Sequence, residues 1–377
     1  MAMSLPQGQC PIQCQLCEGD PKVYWKCLDC GLFMCRTCKD KVHSKFKSER
    51  EHIIVDIKEV GRRDIKENQQ GSVVRQQDKV VSIFGQRNDE VSNSMTKVQL
   101  INIKEYQTKT IFVNSLAVSL NDSIWIGDGY KTGFNPLTSP TALQSVKVKG
   151  DKVKVRSSFN INVSDIAVTP NNKLLLAIQE PRLKQIKAGS RKITDSDFCV
   201  GSSNIFSVHV TKEHGTVIAG GTKIVIVMDT EGNHLTRYEN DMNNAPLFEG
   251  TIWSITSTRN GNIFVIEFID NPRVVVLGKS GLISTYRGHP SIIMTNRFHP
   301  MSIVTTPLDN VIMADCDNHT LHILDNTGHL LTIYDTMDIH IRYPRSLAIN
   351  TTEGPVAELY LGCLHGRKLY KMSIIGY

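Results

Sequence analysis

From about residue 95 onward the chain alternates apolar and polar positions in short runs, and the runs repeat. LAVSLNDSIWIGD from Leu116, IAVTPNNKLLLA from Ile166, VHVTKEHGTVIAGG from Val208, ITSTRNGNIFVIE from Ile255 and IVTTPLDNVIMAD from Ile303 share one layout. Each is an alternating strand, a polar turn rich in Asn, Gly and Asp, and a second apolar strand. LAINTTEGPVAELYLG from Leu347 is a sixth copy with a longer turn. The starts are 50, 42, 47, 48 and 44 residues apart, a period that holds four strands and their turns.

A unit of four short strands cannot bury both of its faces alone. Six of them arranged radially pack every sheet against its neighbours and protect most edges. The pattern therefore predicts a mainly β chain whose residues 96–377 form a six-bladed β-propeller. After the second strand of the last repeat only HGRKLYKMSIIGY remains, enough for a third strand but not a fourth. The missing strand is expected from KVQLINIKEYQT at 97–108, which closes the ring by pairing the two ends of the array. Trp125 and Trp253 lie inside repeat strands and are expected in the core or central channel.

Upstream, residues 56–95 carry short helical patterning (Ile57, Val60, Ile65) interrupted by Gly61, Gly71 and Gly85. Each glycine costs about 1 kcal/mol in a helix interior relative to alanine. No heptad series lasts the three or four repeats of a coiled coil, so this stretch reads as a polar, partly helical linker. The longest apolar runs, such as IIV at 53–55 and IVIVM at 224–228, fall far short of the ~20 residues that span a bilayer. MAMSLPQGQCPIQ at the N-terminus lacks the basic and apolar segments of a secretory leader, so a cytoplasmic location and no membrane are expected.

Cysteine usage changes the picture of the N-terminus. Seven of the ten cysteines lie before residue 39. A disulfide scaffold spreads its cysteines over what it staples, and a reducing cytosol disfavours that use. Cys14 and Cys17, Cys27 and Cys30, and Cys35 and Cys38 form three C-x2-C pairs, with His43 and His52 behind them. Eight such ligands make two four-coordinate Zn2+ sites, closed to water and hence structural. A redox thiol cluster is the rival explanation, and spacing alone does not exclude sequential pairing of the ligands. Cys10 has no place in the scheme.

The string C-x2-C-x9-C-x2-C-x4-C-x2-C-x4-H-x8-H, followed by IIVDI, resembles the B-box zinc finger of the tripartite-motif family. The resemblance covers residues 10–55 and implies interleaved ligands: Cys14, Cys17, Cys35 and Cys38 on one zinc, Cys27, Cys30, His43 and His52 on the other. In the propeller region, ADCDNHTLHILDNTGHLL (Ala314 to Leu331) resembles the NHL repeat, with Asp315 ending the second strand and Asn318-His319 turning into the third. Asp128 and Glu267 hold the same acid position in two other blades, while Ile178 and Gly221 occupy it in blades two and three. A WD-type propeller wants Trp-Asp pairs, and the chain has none. His319 is expected as a turn residue with a backbone partner. Finger plus NHL-like propeller resembles the TRIM-NHL branch, whose members bind proteins and, through the propeller, RNA. This chain departs from that family: only thirteen residues precede Cys14, too few for a RING, and no long coiled coil follows. Ubiquitin-ligase activity of its own and coiled-coil dimerisation are therefore not expected, although association through the finger itself stays open.

Charge adds one lead. Residues 131–195 hold twelve Lys or Arg against four Asp or Glu in a chain of net charge +6, so the remainder is slightly acidic. SVKVKGDKVKVRSS predicts a hairpin about Gly150-Asp151 with Val146, Val148, Val153 and Val155 on one face. Lys147, Lys149, Lys152, Lys154 and Arg156 occupy the other, a candidate anion or RNA track. Arg182, Lys184, Lys187, Arg191 and Lys192 follow. Converging cations attract phosphate backbones, whereas lysines on an outer strand also serve simply to blunt a sheet edge, and no aromatic residue interleaves with them. The chain has no Gly-rich phosphate loop, H-E-x-x-H or nucleophile elbow. Asp128, Glu267 and Asp315 recur at one repeat position, as a structural role predicts. The sequence thus leads to the expectation of a non-enzymatic, zinc-binding adaptor that meets unidentified protein partners through finger and propeller. RNA binding through a basic propeller face, or service as a RING-less accessory of a ubiquitin ligase complex, are the alternatives.

Overall fold

A computed structural model describes residues 24–27, 33–36, 54–56, 98–129, 141–289, 296–350 and 356–375. The chain divides into two compact units, Met1–Ser92 and Asn93–Tyr377. In the first, the strands β1 (Trp25–Cys27), β2 (Phe33–Met34) and β3 (Ile54–Asp56) form an antiparallel sheet in the order β2-β1-β3. Lys26 stands opposite Phe33 and Val55, and Cys27 opposite Ile54. Cys35, directly after β2, is fully buried. Of the eight residues expected to ligate zinc, Cys14, Cys17, Cys30, Cys38, His43 and His52 lie outside the described residues. So does the expected linker beyond Asp56.

The second unit is a six-bladed propeller of four-stranded antiparallel sheets. Blade 1 is Ser115–Val118, Ile124–Gly127, Ala142–Lys149 and Lys152–Asn160; blade 2 is Asp165–Val168, Leu174–Ala177, Arg182–Ile186 and Ile193–Cys199. Blade 3 is Ser207–Val210, Val217–Gly220, Val225–Met228 and His234–Tyr238; blade 4 is Thr251–Ser257, Ile263–Phe268, Arg273–Gly278 and Gly281–Tyr286. Blade 5 is Pro300–Thr305, Val311–Asp315, Thr320–Leu324 and Leu330–Asp335. Blade 6 takes Pro344–Asn350, Ala357–Cys363 and Lys368–Ile375, and its fourth strand is Gln99–Gln107, from before blade 1. Gln107 pairs with Lys368 and Gln99 with Ile375, so the two ends of the array share one sheet. Glu105 adds a side-chain tie, accepting from Tyr370 Oη at 2.7 Å and Lys368 Nζ at 3.0 Å.

Each first strand lies beside the first strands of both neighbouring blades, and the six close a ring. Burial falls from this ring outward. The second strands Leu174–Ala177, Val217–Gly220 and Val311–Asp315 are buried at every position, which is why they read as unbroken apolar runs rather than alternating ones. The fourth strands face solvent and alternate or turn polar, as in Lys152–Asn160 and His234–Tyr238. Six apolar clusters fill the six interfaces between blades. Trp253 belongs to the cluster between blades 4 and 5 and stacks on Phe268 at 4.7 Å, while Trp125 packs against the cluster between blades 1 and 2. Backbones approach closely where second strands meet the next blade: a Cβ on Gly220 would stand 2.4 Å from the Ile252 side chain, and one on Gly362 2.3 Å from that of Val113.

The first turn of the blades explains the polar letters of the repeat. Ser119, Thr169 and Thr258 donate a hydroxyl back across the turn to the carbonyls of Ser123, Lys173 and Asn262. The residue two positions before the returning strand has positive φ and is Asp122, Asn172, Gly261 or Asp309, the types that tolerate a left-handed backbone. Because strands alternate in direction, the first and third turns of every blade lie at one end of the ring. The second turns and the connections between blades lie at the other. No helix among the described residues is long and apolar enough to cross a membrane.

Candidate functional site

The cationic hairpin of blade 1 forms with Lys147 opposite Lys154, Lys149 opposite Lys152, and Val148 opposite Val153. Val148, Val153 and Val155 pack against the cluster between blades 6 and 1, so the five cations face the opposite way. A register shift between Ser145 and Val146 leaves Arg156 in a bulge. None of the five makes an ion pair among the described residues. The cations of blade 2 divide. Lys184 is taken up by Asp195 at 2.6 Å and Glu180 at 3.0 Å, and the bond to Asp195 above all pushes its pKa up. Arg182 donates to the Ser196 carbonyl at 2.9 Å. Lys187, Arg191 and Lys192 stay exposed around the third turn.

The acids shared by the repeat do not face the channel. Asp128, Glu267 and Asp315 end second strands and are buried. Asp128 accepts from the Ala142 backbone N–H at 2.5 Å; burial raises its pKa against the opposing pull of backbone N–H groups, that of Ala142 foremost. Glu267 accepts from the N–H groups of Glu249 and Gly250, which lead into its own blade, and from Arg273 Nε at 2.6 Å. Asp315 likewise takes the His299 N–H at 3.1 Å and Asn318 Nδ2 at 2.8 Å, with His322 Nε2 at 3.5 Å. Glu267 and Asp315 thus fasten the entries of blades 4 and 5 to their second turns, while Asp128 holds the start of the third strand of blade 1. His319 sits in that turn with φ +56° and accepts the Tyr343 N–H on Nδ1 at 3.0 Å, a turn residue held by backbone.

A sizeable open space lies elsewhere. A cavity of about 680 Å³ runs into the ring of first strands at the end carrying the first turns, and all six blades line it. Its wall carries Val118, Val168, Val210, Val304 and Ile349, from five blades. Hydroxyls and a carboxylate stitch the inner strands together across blades: Ser207 Oγ to Asp165 at 2.7 Å, Thr256 to Thr305 at 2.8 Å, and His209 Nε2 to Ser257 Oγ at 2.9 Å. Burial, and then the nearby charge of Lys212, push the His209 pKa down to about 4, so the ring is neutral at pH 7.

Four charged residues stand on one side of the mouth: Lys212 and Glu213 from blade 3, Arg259 from blade 4 and Asp309 from blade 5. Three of them hold one another. Arg259 Nε lies 3.8 Å from Glu213, Arg259 Nη2 donates to the Pro307 carbonyl at 2.7 Å, and the Arg259 N–H donates to Asp309 Oδ1 at 2.7 Å. Lys212 has no carboxylate within 4.0 Å among the described residues. Although the residue reaches solvent, lost hydration, then the Arg259 guanidinium, pushes its pKa down against the opposing pull of Asp309 and Glu213. Sequence reasoning missed this cluster. The available signal was a departure from the repeat: where blades 1, 2 and 6 place Ala117, Ala167 and Ala348, blade 3 places His209. Among the described residues no group of three or more His, Cys, Asp or Glu is arranged to hold a metal ion.

No protein family matches the chain, and no curated protein matches it. Among solved structures it is similar to a protein of unknown function from Bacteroides caccae, at 13% identity over 63% of this chain and 82% of that one, with a TM-score of 0.45. It is also similar to streptogramin B lyase, at 12% identity over 75% of this chain and 100% of that one, with a TM-score of 0.48. The second likeness corrects the expectation of a non-enzymatic chain, because the protein it names is an enzyme. At this identity the likeness is one of fold alone and assigns no reaction.

Proposed function

We propose that the chain is an interaction scaffold in which a two-zinc finger of B-box type and the propeller each offer a binding surface. The closed ring carries the propeller half of this reading: turns projecting from strands fixed on both sides are the setting in which recognition loops work. Support for the finger comes from the small sheet. Cys27 ends β1 opposite Ile54, two positions after His52 in the chain, and Cys35 is buried directly after β2. Both fit thiolates and imidazole gathered into one small core. The assigned ligands are Cys14, Cys17, Cys35 and Cys38 for one zinc and Cys27, Cys30, His43 and His52 for the other. Zinc held this way contributes folding energy, about 10–16 kcal/mol per ion in finger peptides, and a reducing cytoplasm suits it. The test is elemental analysis of the purified full chain with and without chelation. Two zinc ions per chain are expected, with the propeller's unfolding transition unmoved after chelation. One ion or none overturns the assignment.

A second reading rests on the hairpin. Like charges directly opposite on neighbouring strands are destabilising, yet Lys147 faces Lys154 and Lys149 faces Lys152. A bound polyanion such as RNA relieves that repulsion. Anisotropy titrations of the full chain against short single-stranded RNAs should then show affinity falling linearly in log salt, with a shallower slope once the five cations are neutralised. Equal slopes remove this reading.

A further inference from the structure

The cavity joins an apolar wall to a cation, Lys212, that has no carboxylate within 4.0 Å among the described residues. Its volume of about 680 Å³ falls in the range of sites for small organic molecules, which are mostly apolar with a few placed polar groups. Val118, Val168, Val210, Val304 and Ile349 supply the apolar part. At the rim, Leu120 is 72% exposed and Leu308 63% exposed, on the first turns of blades 1 and 5. The polar part is one-sided. Glu213 and Asp309 are engaged with Arg259, and Asp309 Oδ2 also takes Asn326 Nδ2 at 3.2 Å, so both act on Lys212 only at a distance and neither pairs with it directly. Lys212 and Arg259 are close enough to repel, and His209 beside them is uncharged at neutral pH.

We propose that the channel binds a small amphipathic anion, with its carboxylate or sulfonate on Lys212 and its apolar body against the valine and isoleucine wall. An anion there gives the ammonium a counter-charge and hydrogen-bond acceptors and offsets its repulsion by Arg259, while the apolar body leaves water for the wall. A bare inorganic anion satisfies only the first of these and a neutral hydrocarbon only the second, so the class of ligand is set by both.

The test uses the full chain with 1-anilinonaphthalene-8-sulfonate as fluorescent probe, its neutral analogue N-phenyl-1-naphthylamine, and decanoate as competitor. The sulfonate probe should bind one to one and be displaced by decanoate. In Lys212→Met its affinity should fall about tenfold, the loss of one hydrogen bond to a charged group, while Lys212→Arg keeps it. The neutral analogue should bind all three proteins alike. Lys212 is exposed, so its variants are expected to fold, and matching unfolding curves would verify this. Unchanged affinity of the sulfonate probe in Lys212→Met, or no one-to-one binding at all, overturns the proposal. Displacement by inorganic phosphate as effective as by decanoate also overturns it, since the site would then take any small anion.

Discussion

Two sets of ionisable groups in the propeller invite comparison: the acids at the ends of the second strands and the cluster at the channel mouth. Asp128, Glu267 and Asp315 recur at one repeat position, are buried, and spend their oxygens on backbone N–H groups and on Arg273 or Asn318. His209, Lys212, Ser257 and Arg259 occupy positions where blades 3 and 4 depart from the layout of blades 1 and 2, and they border open space. In a repeat protein, a polar group that recurs is part of the frame, because every copy faces the same packing problem. A polar group that breaks the pattern has no such explanation, and at the channel mouth it leaves Lys212 with no carboxylate within 4.0 Å among the described residues.

The sharpest way to break this contrast is to remove a frame acid. Glu267→Gln leaves Arg273, 2.6 Å away and largely buried, without its counter-charge. Breaking a buried pair from one side costs about 3–5 kcal/mol, so urea unfolding should show a loss of that size. A loss near zero would mean that the recurrent acid does not hold the blade. Next in size is a pH effect from the other set. The His209 pKa is depressed to about 4 in the folded protein from its ordinary value of 6.5. The unfolded chain therefore binds the proton first as pH falls, and this contribution is fully present above about 6.5 and lost between there and about 4. It is on the order of 3 kcal/mol, and His209→Asn should flatten the stability profile across that window. If the profile keeps its slope in the variant, other groups are responsible.

Ring closure contributes a smaller, separable effect. Tyr370→Phe removes the donor to Glu105 across the shared sheet and should cost about 1–2 kcal/mol, as a hydrogen bond to a charged acceptor does, with the carboxyl of Glu105 titrating higher because Tyr370 is the main group lowering it. Nuclear magnetic resonance titration of Glu105 in both proteins checks the second part. Smallest of all is Lys212→Met, expected within about 0.5 kcal/mol of the parent in unfolding, because Lys212 supports no frame contact.

Most of the architecture was legible because the inner strands are short, nearly fully buried and built six times, so the same apolar run recurs beside the same Asn, Asp or Gly turn. The left-handed φ of Asp122, Asn172, Gly261 and Asp309 is what put those letters there. The hairpin of blade 1 was legible for a related reason: an outer strand with one packed and one wet face alternates strictly. The channel site was not legible, since no local spacing links His209 to Ser257 or Lys212 to Arg259. Residues nearly fifty positions apart meet only because successive blades bring equivalent strands side by side.

The most direct test of the contrast between frame and site is hydrogen exchange of the full chain, read by mass spectrometry with and without saturating decanoate. Slower exchange in peptides covering the first strands and first turns that line the channel, 208–216 foremost, with 263–273 and 311–320 unchanged, is the result predicted. Protection centred on the hairpin at 146–156, or on the ends of the second strands, would contradict it.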